Sequence, residues 1–246
     1  MHYANAPIAE AVIDLRVADP GKIEVSSLER IRSAVSDRLP IVLPTYNVTM
    51  GVQMGGERGG MSASFQNSQE PFGYRYSAED KSRVLQAQKI GFSYSHLPPY
   101  TEWPQFSGEA RDYWEKFLSA TSAKDVARVA VRVINKINIS ESTFDTRKYL
   151  NIYPNVPKDF PPSGRFDMRL EIGMDDVAPG ARALINVKGG KSQASISELV
   201  LDFDISVESK MDANDNMIWE ILDAFSSAKN RLFEACITDN TRELIS

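Results

Sequence analysis

The chain has one cysteine, Cys236, and two histidines, His2 and His96, among its 246 residues. A single cysteine excludes an intramolecular disulfide, and two histidines without CxxC or HExxH spacing leave too few ligands for a zinc site. No nucleophile stands in a recognisable pattern with either histidine, so a Cys-His or Ser-His-Asp hydrolase has no support. We therefore predict no catalytic residues, no metal ligands and no cofactor, and the sequence favours a non-enzymatic role.

Long apolar runs and clusters of positive charge are also missing. No stretch approaches the roughly 18 apolar residues of a membrane span, and no charged segment precedes an apolar one as in a secretory signal. We therefore expect a cytoplasmic protein without a membrane partner. The formal net charge of −5 argues against general nucleic-acid binding, because neutralising phosphates requires Lys and Arg to outnumber carboxylates locally.

The remaining composition is that of a folded globular chain. Hydrophobic residues make up 42% and charged residues 25% of the sequence, and 11 Phe, 9 Tyr and 3 Trp are available for a core. A chain of this length can bury a sizeable core without the help of a disulfide or a metal ion.

Two segments of similar organisation follow one another along the chain. In the first, an extended apolar run at 7–17 precedes a segment at 46–54 whose alternating apolar and polar residues predict a strand. Further strand-like runs follow. The glycines of 55–60 predict a hairpin loop, and apolar residues at helical spacing predict a helix over 106–120.

The second segment repeats this order. Its predicted elements are a strand at 126–139, strands near 166–172, 181–187 and 194–207, and a helix over 215–236. We predict an α+β fold made of two related antiparallel-sheet-plus-helix units, an internal pseudo-duplication. The first unit covers residues 1–122 and the second covers 123–246, and we expect them to pack as one body.

The first strand of the second segment carries a row of positive charges opposite its apolar side, namely Arg128, Arg132 and Lys136. Residues four apart in a strand share a face and lie about 13 Å apart. Such a row is compatible with cross-strand pairing to Asp202 and Asp204, with binding of a protein partner, or with contacts to nucleic-acid phosphates. The pairing is favoured slightly, and the row is the candidate partner-binding site under the second interpretation.

Two motifs suggest phosphate chemistry but are incomplete. The segment from Gly189 to Ser192 ends like a phosphate-binding loop, yet Ile185 stands where the motif needs its first glycine and no helix is predicted to follow. Asp202 and Asp204 share one strand face, but a magnesium site for phosphoryl transfer needs a further acid at suitable spacing. A turn and a solvated sheet face are the simpler interpretations.

Both ends of the chain resemble one bacterial family. Residues 2–16, HYANAPIAEAVIDLR, are similar to the "NAPI-EAV-D-R" phrase that opens an uncharacterised, sporadically distributed family, and residues 230–239 match its closing "N--FE--ITD". Two internal stretches fit as well, so the resemblance covers nearly the whole chain. The family has no established activity. Its patchy distribution implies mobile or defence-associated loci, and hence a role in a multi-protein system.

The favoured function is a non-enzymatic interaction or regulatory protein of a bacterial accessory system, with another protein as its partner. One alternative is a nucleic-acid-binding component, which would use the basic row together with exposed Tyr74, Tyr76 and Tyr94. The other is a metal-dependent phosphoryl-transfer enzyme. The sequence contains no signal for the oligomeric state.

Overall fold

A computed structural model describes residues 3, 5–55, 62–100, 102–141, 144–155, 157, 165–193 and 196–246. The hairpin loop predicted from the glycines at 55–60 lies, after Gly55, outside the described residues. The strands are β1 (Ile8–Val17), β2 (Ile41–Gly55), β3 (Ser62–Ser77), β4 (Arg83–Gln88), β5 (Gly91–His96), β6 (Asp125–Ile139), β7 (Arg165–Gly173), β8 (Arg182–Gln193) and β9 (Ile196–Asp212). The helices are α1 (Val25–Glu29), α2 (Ile31–Val35), α3 (Trp103–Thr121), α4 (Thr146–Tyr149), α5 (Met217–Cys236) and α6 (Asp239–Ile245).

The nine described strands form one antiparallel sheet in the order β2-β3-β4-β5-β1-β6-β9-β8-β7. The mixed α+β class predicted from the sequence is confirmed. At the centre of the sheet β1 pairs with β6, from Ile8 opposite Asn135 to Val17 opposite Val126. From this central pair, β5, β4, β3 and β2 lead outward on one side, and β9, β8 and β7 lead outward on the other.

Alternation in the two central strands directs their apolar side chains to a single face of the sheet. Ile13 and Leu15 of β1 and Val129, Val131 and Val133 of β6 are at most 3% exposed. They belong to a core cluster that also takes residues from α1, α2, α3 and α5. The helices therefore cover this face.

Aromatic side chains of α3 and α5 anchor the helix layer. Trp114 and Phe117 of α3 and Phe225 of α5 are at most 1% exposed, as their helical spacing predicts. The indole N–H of Trp114 donates to the carbonyl of Ala213, 2.9 Å away, which attaches α3 to the residue following β9. The same helical spacing predicts a buried Phe233, but this ring is half-buried at the margin of the core.

A second core cluster lies farther along the same face. It contains Ile137 and Ile139 of β6 with residues of β8, β9, α4 and α6. A β-bridge between Leu150 and Ile237 joins the segment after α4 to the end of α5. None of the described helices combines the length and the apolarity needed to cross a membrane.

Candidate functional site

One face of the sheet is not covered by any helix in the described part of the chain. Both core clusters use strand residues of one parity, such as Val133 and Ile137 of β6, so residues of the other parity project from the opposite side. We call this opposite surface the open face. Its centre consists of Asp14 of β1, Arg128, Arg132 and Lys136 of β6, and Asp202 and Asp204 of β9.

Arg128 joins the three central strands on the open face. Its Nη1 donates to Oδ1 of Asp14 at 2.7 Å, and its Nη2 donates to both carboxylate oxygens of Asp204 at 2.7 and 2.9 Å. Asp14 also accepts a 2.8 Å hydrogen bond from Nε of Arg16. Arg128 is therefore held by carboxylates from the strand on either side of β6.

Arg132 makes a two-pronged ion pair with Asp202. Its Nε donates to Oδ1 at 2.8 Å and its Nη2 to Oδ2 at 2.7 Å, the fork geometry that suits a guanidinium and a carboxylate. These hydrogen bonds raise the pKa of Arg132, and burial opposes them. The Asp202 side chain is only 10% exposed and also accepts from Asn186 Nδ2 at 3.3 Å. The cross-strand pairing expected from the sequence is thus present for both arginines.

Lys136 differs from the two arginines. Its side chain is exposed, and no described residue forms a hydrogen bond or an ion pair with its Nζ. On β9 it faces Val200, so no carboxylate stands opposite it. Of the three residues singled out from the sequence, Lys136 is the one whose charge is available to an external carboxylate.

Asp14 belongs to this site but was not singled out from the sequence. The signal was present, because Asp14 alternates with the apolar Ile13 and Leu15 and therefore had to leave the core face. The sequence of β1 does not indicate which strand lies beside it. Only the pairing of β1 with β6 brings Asp14 within reach of Arg128.

A second polar cluster, which sequence reasoning also missed, lies between α3 and β5 on the helix side. Its centre is Glu109, whose Oε2 accepts from Tyr94 Oη at 2.6 Å, His96 Nε2 at 3.0 Å and Arg83 Nε at 3.2 Å. Oε1 accepts from Gln105 Nε2 at 3.1 Å. The position of His96, just before Leu97-Pro98-Pro99, favours a hydrogen-bonding loop residue at a strand end over a general base. It is the last residue of β5 and is 1% exposed.

The charge states of this cluster follow from its contacts. Burial by itself raises the pKa of Glu109, but hydrogen bonds from Tyr94, Gln105 and His96 and the charge of Arg83 outweigh it and bring the pKa to about 2. Burial lowers the pKa of His96, against the effect of its hydrogen bond to Glu109. At neutral pH the ionised Glu109 therefore accepts a hydrogen bond from the Nε2–H of a neutral His96 imidazole. The cluster attaches α3 to β4 and β5 of the sheet.

The other candidates for chemistry have structural roles. β8 continues through Gly189 to Gln193 and is followed by β9, so no helix begins there to bind a phosphate. Cys236 is buried, and burial raises the pKa of its thiol to about 11. Within the described residues no group of three His, Cys, Asp or Glu side chains is placed to hold a metal ion.

The tyrosines invoked for nucleic-acid stacking are mostly inside the protein. Tyr76 and Tyr94 are 0% exposed, and Tyr74 is half-buried. The hydroxyl of Tyr76 donates to the carbonyl of Leu28 at 2.8 Å. The expectation that all three are exposed is therefore wrong, because β3 and β5 turn these rings toward the helix layer.

A cleft of about 390 Å³ opens beside the end of α3, where β1 and β9 end and β6 begins. Lys22, Lys124 and Lys210 line it, but Lys22 pairs with Asp19 at 2.9 Å and Lys210 pairs with Asp125 at 3.1 Å. Most of its positive charge is thus neutralised within its own wall. The cleft is a weaker candidate than the open face.

Comparison with protein-family models, with curated proteins and with solved structures finds no match. The assignment of a function therefore rests on the geometry of the open face.

Proposed function

We propose that this protein is a non-enzymatic interaction or regulatory protein of a cytoplasmic multi-protein system in bacteria, possessing the open face as its docking surface for another protein. The resemblance of both chain ends to a sporadically distributed bacterial family, with its association to mobile or defence-linked loci, supports the setting. The uncovered sheet face supports the mode of binding.

We also propose that the sheet arose by duplication of one sheet-plus-helix unit, with the boundary near residues 122 and 123. The order of elements supports this. In each half an inner strand, β1 or β6, is followed by shorter helical segments, an antiparallel meander returning to the centre, and a long helix, α3 or α5. A duplicated scaffold of this kind presents a broad binding surface.

The observation that carries the proposal is the contrast between Lys136 and its neighbours. Arg128 and Arg132 are fixed by internal carboxylates, which makes this part of the open face ordered before any partner arrives. Lys136 is exposed on the same strand without a carboxylate of its own among the described residues. A prearranged surface with an available cation suits a partner that presents carboxylates.

The test is a pull-down from a lysate of the native host with the tagged chain and two charge reversals, Lys136→Glu and Lys124→Glu. Both lysines are exposed, and neither has an ion-pair partner in the described part of the chain, so both variants should keep the wild-type melting temperature. We expect Lys136→Glu to lose a specific protein that the wild type and Lys124→Glu retain.

Retention of every captured protein by Lys136→Glu would contradict the proposal. So would capture that nuclease treatment abolishes, because the partner would then be a nucleic acid. Arg132→Glu would be a poorer probe, since it would also leave the mostly buried carboxylate of Asp202 without its ion-pair partner.

A further inference from the structure

The strand β7 lies at one edge of the sheet, with β8 as its partner among the described strands. The backbone N–H and C=O groups that point away from β8 are therefore available for pairing, as on any edge strand. Its side chains are unusually accessible too. Leu170 is 41% exposed and Ile172 is 37% exposed, although both lie on the helix side of the sheet.

The sequence of β7 from Arg165 to Glu171, RFDMRLE, has a self-complementary pattern of charge. The charged residues project from the open face and alternate in sign, in the order Arg165, Asp167, Arg169 and Glu171. The residues between them are apolar and lie on the helix side. Neither Arg169 nor Glu171 forms an ion pair or a side-chain hydrogen bond within the described part of the chain. Asp167 pairs with Lys188 at 3.0 Å, but both side chains are more than half exposed and can change partner.

We propose that β7 pairs with β7 of a second copy of this chain, antiparallel and centred on Met168, which joins the two sheets into one. In this register Asp167 faces Arg169 of the second copy, and Arg169 faces Asp167. Arg165 faces Glu171 on the same side. On the helix side Phe166 faces Leu170 and Met168 faces its own counterpart.

Other registers fit less well. Centring the pair on Asp167 or on Arg169 places like charges opposite each other, which destabilises an antiparallel pair. Centring it on Leu170 keeps only Arg169 opposite Glu171. A shift by one residue would place charged side chains of one copy against apolar side chains of the other. Of these registers, the one centred on Met168 places two different pairs of opposite charges across the interface and keeps apolar residues opposite apolar residues.

The geometry of the sheet permits this pairing. In the proposed register, odd-numbered residues face odd-numbered residues and even-numbered residues face even-numbered ones. The backbone N–H and C=O groups that point away from β8 in one copy therefore meet the N–H and C=O groups that point away from β8 in the other. The two-fold axis is then perpendicular to the sheet, and it keeps both helix layers on one side. The opposite edge strand, β2, carries Pro44, which cannot donate a backbone hydrogen bond, so β7 is the better edge for association.

The first test uses sedimentation velocity of the full chain over a range of concentrations. We expect the wild type to show a dimer whose fraction rises with concentration. Arg169→Asp and Asp167→Arg should each remove the dimer, because each opposes like charges across the two-fold axis. The double variant Asp167→Arg/Arg169→Asp restores opposite charges and should restore the dimer. Melting curves of all four proteins verify that each is folded at the temperature used.

The second test fixes the register by disulfide trapping. Directly opposed residues of an antiparallel pair have Cα atoms about 4.5–5.5 Å apart, within reach of a disulfide. Met168→Cys should therefore form a linked dimer under mild oxidation. In the same register Leu170→Cys would lie about 13 Å from its counterpart and should not. Wild type controls for Cys236, which is buried.

A wild type that remains monomeric at every concentration would overturn the proposal. A dimer that survives both single charge reversals would overturn it as well, because association would then use another surface. Equal trapping of Met168→Cys and Leu170→Cys would exclude the proposed register.

Discussion

Arg132 faces Asp204 in the β6–β9 ladder but donates its guanidinium hydrogen bonds to Asp202, the next acid along β9 on the same face. Arg128 leans in the same direction to reach Asp204, although Glu208 stands opposite it. Each arginine therefore binds an aspartate that lies nearer the start of β9 than the residue directly opposite it. Val200 occupies the position opposite Lys136, and among the described residues no acid forms an ion pair with that lysine.

We expect Arg132→Ala to lower the free energy of unfolding by about 1–3 kcal/mol, because it leaves the mostly buried carboxylate of Asp202 without its main partner. Lys136→Ala is the matched control on the same strand and face, and should change stability by less than about 0.5 kcal/mol. Urea denaturation at neutral pH measures both. Equal stability of the two variants would show that the Arg132 pair contributes nothing measurable.

The cluster around Glu109 should make the protein sensitive to acid. The pKa of Glu109 is lowered from its usual 4.5 to about 2, so the carboxylate stabilises the fold above pH 4.5 and this contribution is lost as the pH falls through 2. Glu109→Gln should therefore be less stable than wild type at neutral pH by about 2 kcal/mol, allowing for solvent screening, and the difference should shrink toward pH 2. Glu115→Gln, at an exposed position of the same helix, is the control for the removal of one negative charge.

Lys229 should destabilise the protein at neutral pH. It is 8% exposed within α5 and donates to Asn230 Oδ1 at 2.8 Å, and burial lowers its pKa from 10.5 to about 8. Because the unfolded chain binds this proton more tightly, wild-type stability gains as the pH rises from about 8 to 10.5. Lys229→Met should remove this gain and be more stable at pH 7 by roughly 3 kcal/mol.

The comparison between Lys229→Met and wild type must be made at each pH, since other groups titrate in the same range. Lys124→Met serves as the control, because that lysine is exposed. An equal pH dependence for wild type and Lys229→Met would mean that the amine reaches solvent in the folded protein.

The two phenylalanines of α5 should differ in their contribution to stability. Phe225 is fully buried, so Phe225→Ala removes an enclosed ring and should cost about 3–5 kcal/mol. Phe233 is half-buried and packs edge-on against Tyr3 at 6.4 Å, so Phe233→Ala should cost less. Thermal unfolding of the two variants provides the comparison, and equal losses would contradict the placement of α5.

Much of the fold could be predicted because its signals are local. The alternation in β6 assigns Val129 and Val131 to one face and Arg128 and Arg132 to the other, and the spacing of aromatic residues in α3 places Trp114 inside. Such patterns depend only on the geometry of a single element.

The contacts of the site depend instead on which elements meet. The link from Arg128 to Asp14 requires β1 beside β6, and the hydrogen bond from His96 to Glu109 requires α3 to lie over β5. The wrong expectation that Tyr76 is exposed has the same cause, since whether a strand residue faces water depends on where the helices pack. A single sequence contains no direct signal for either relationship.

The central pairing of β1 with β6 also sets an order of events during synthesis. It joins positions roughly 110 to 130 residues apart in sequence, whereas β1 and β5 are closer along the chain. When the first half has left the ribosome, β1 can pair with β5, but its other edge has no partner until β6 emerges. For that interval a mostly apolar strand exposes unpaired backbone groups, which makes the nascent first half the stage most vulnerable to aggregation.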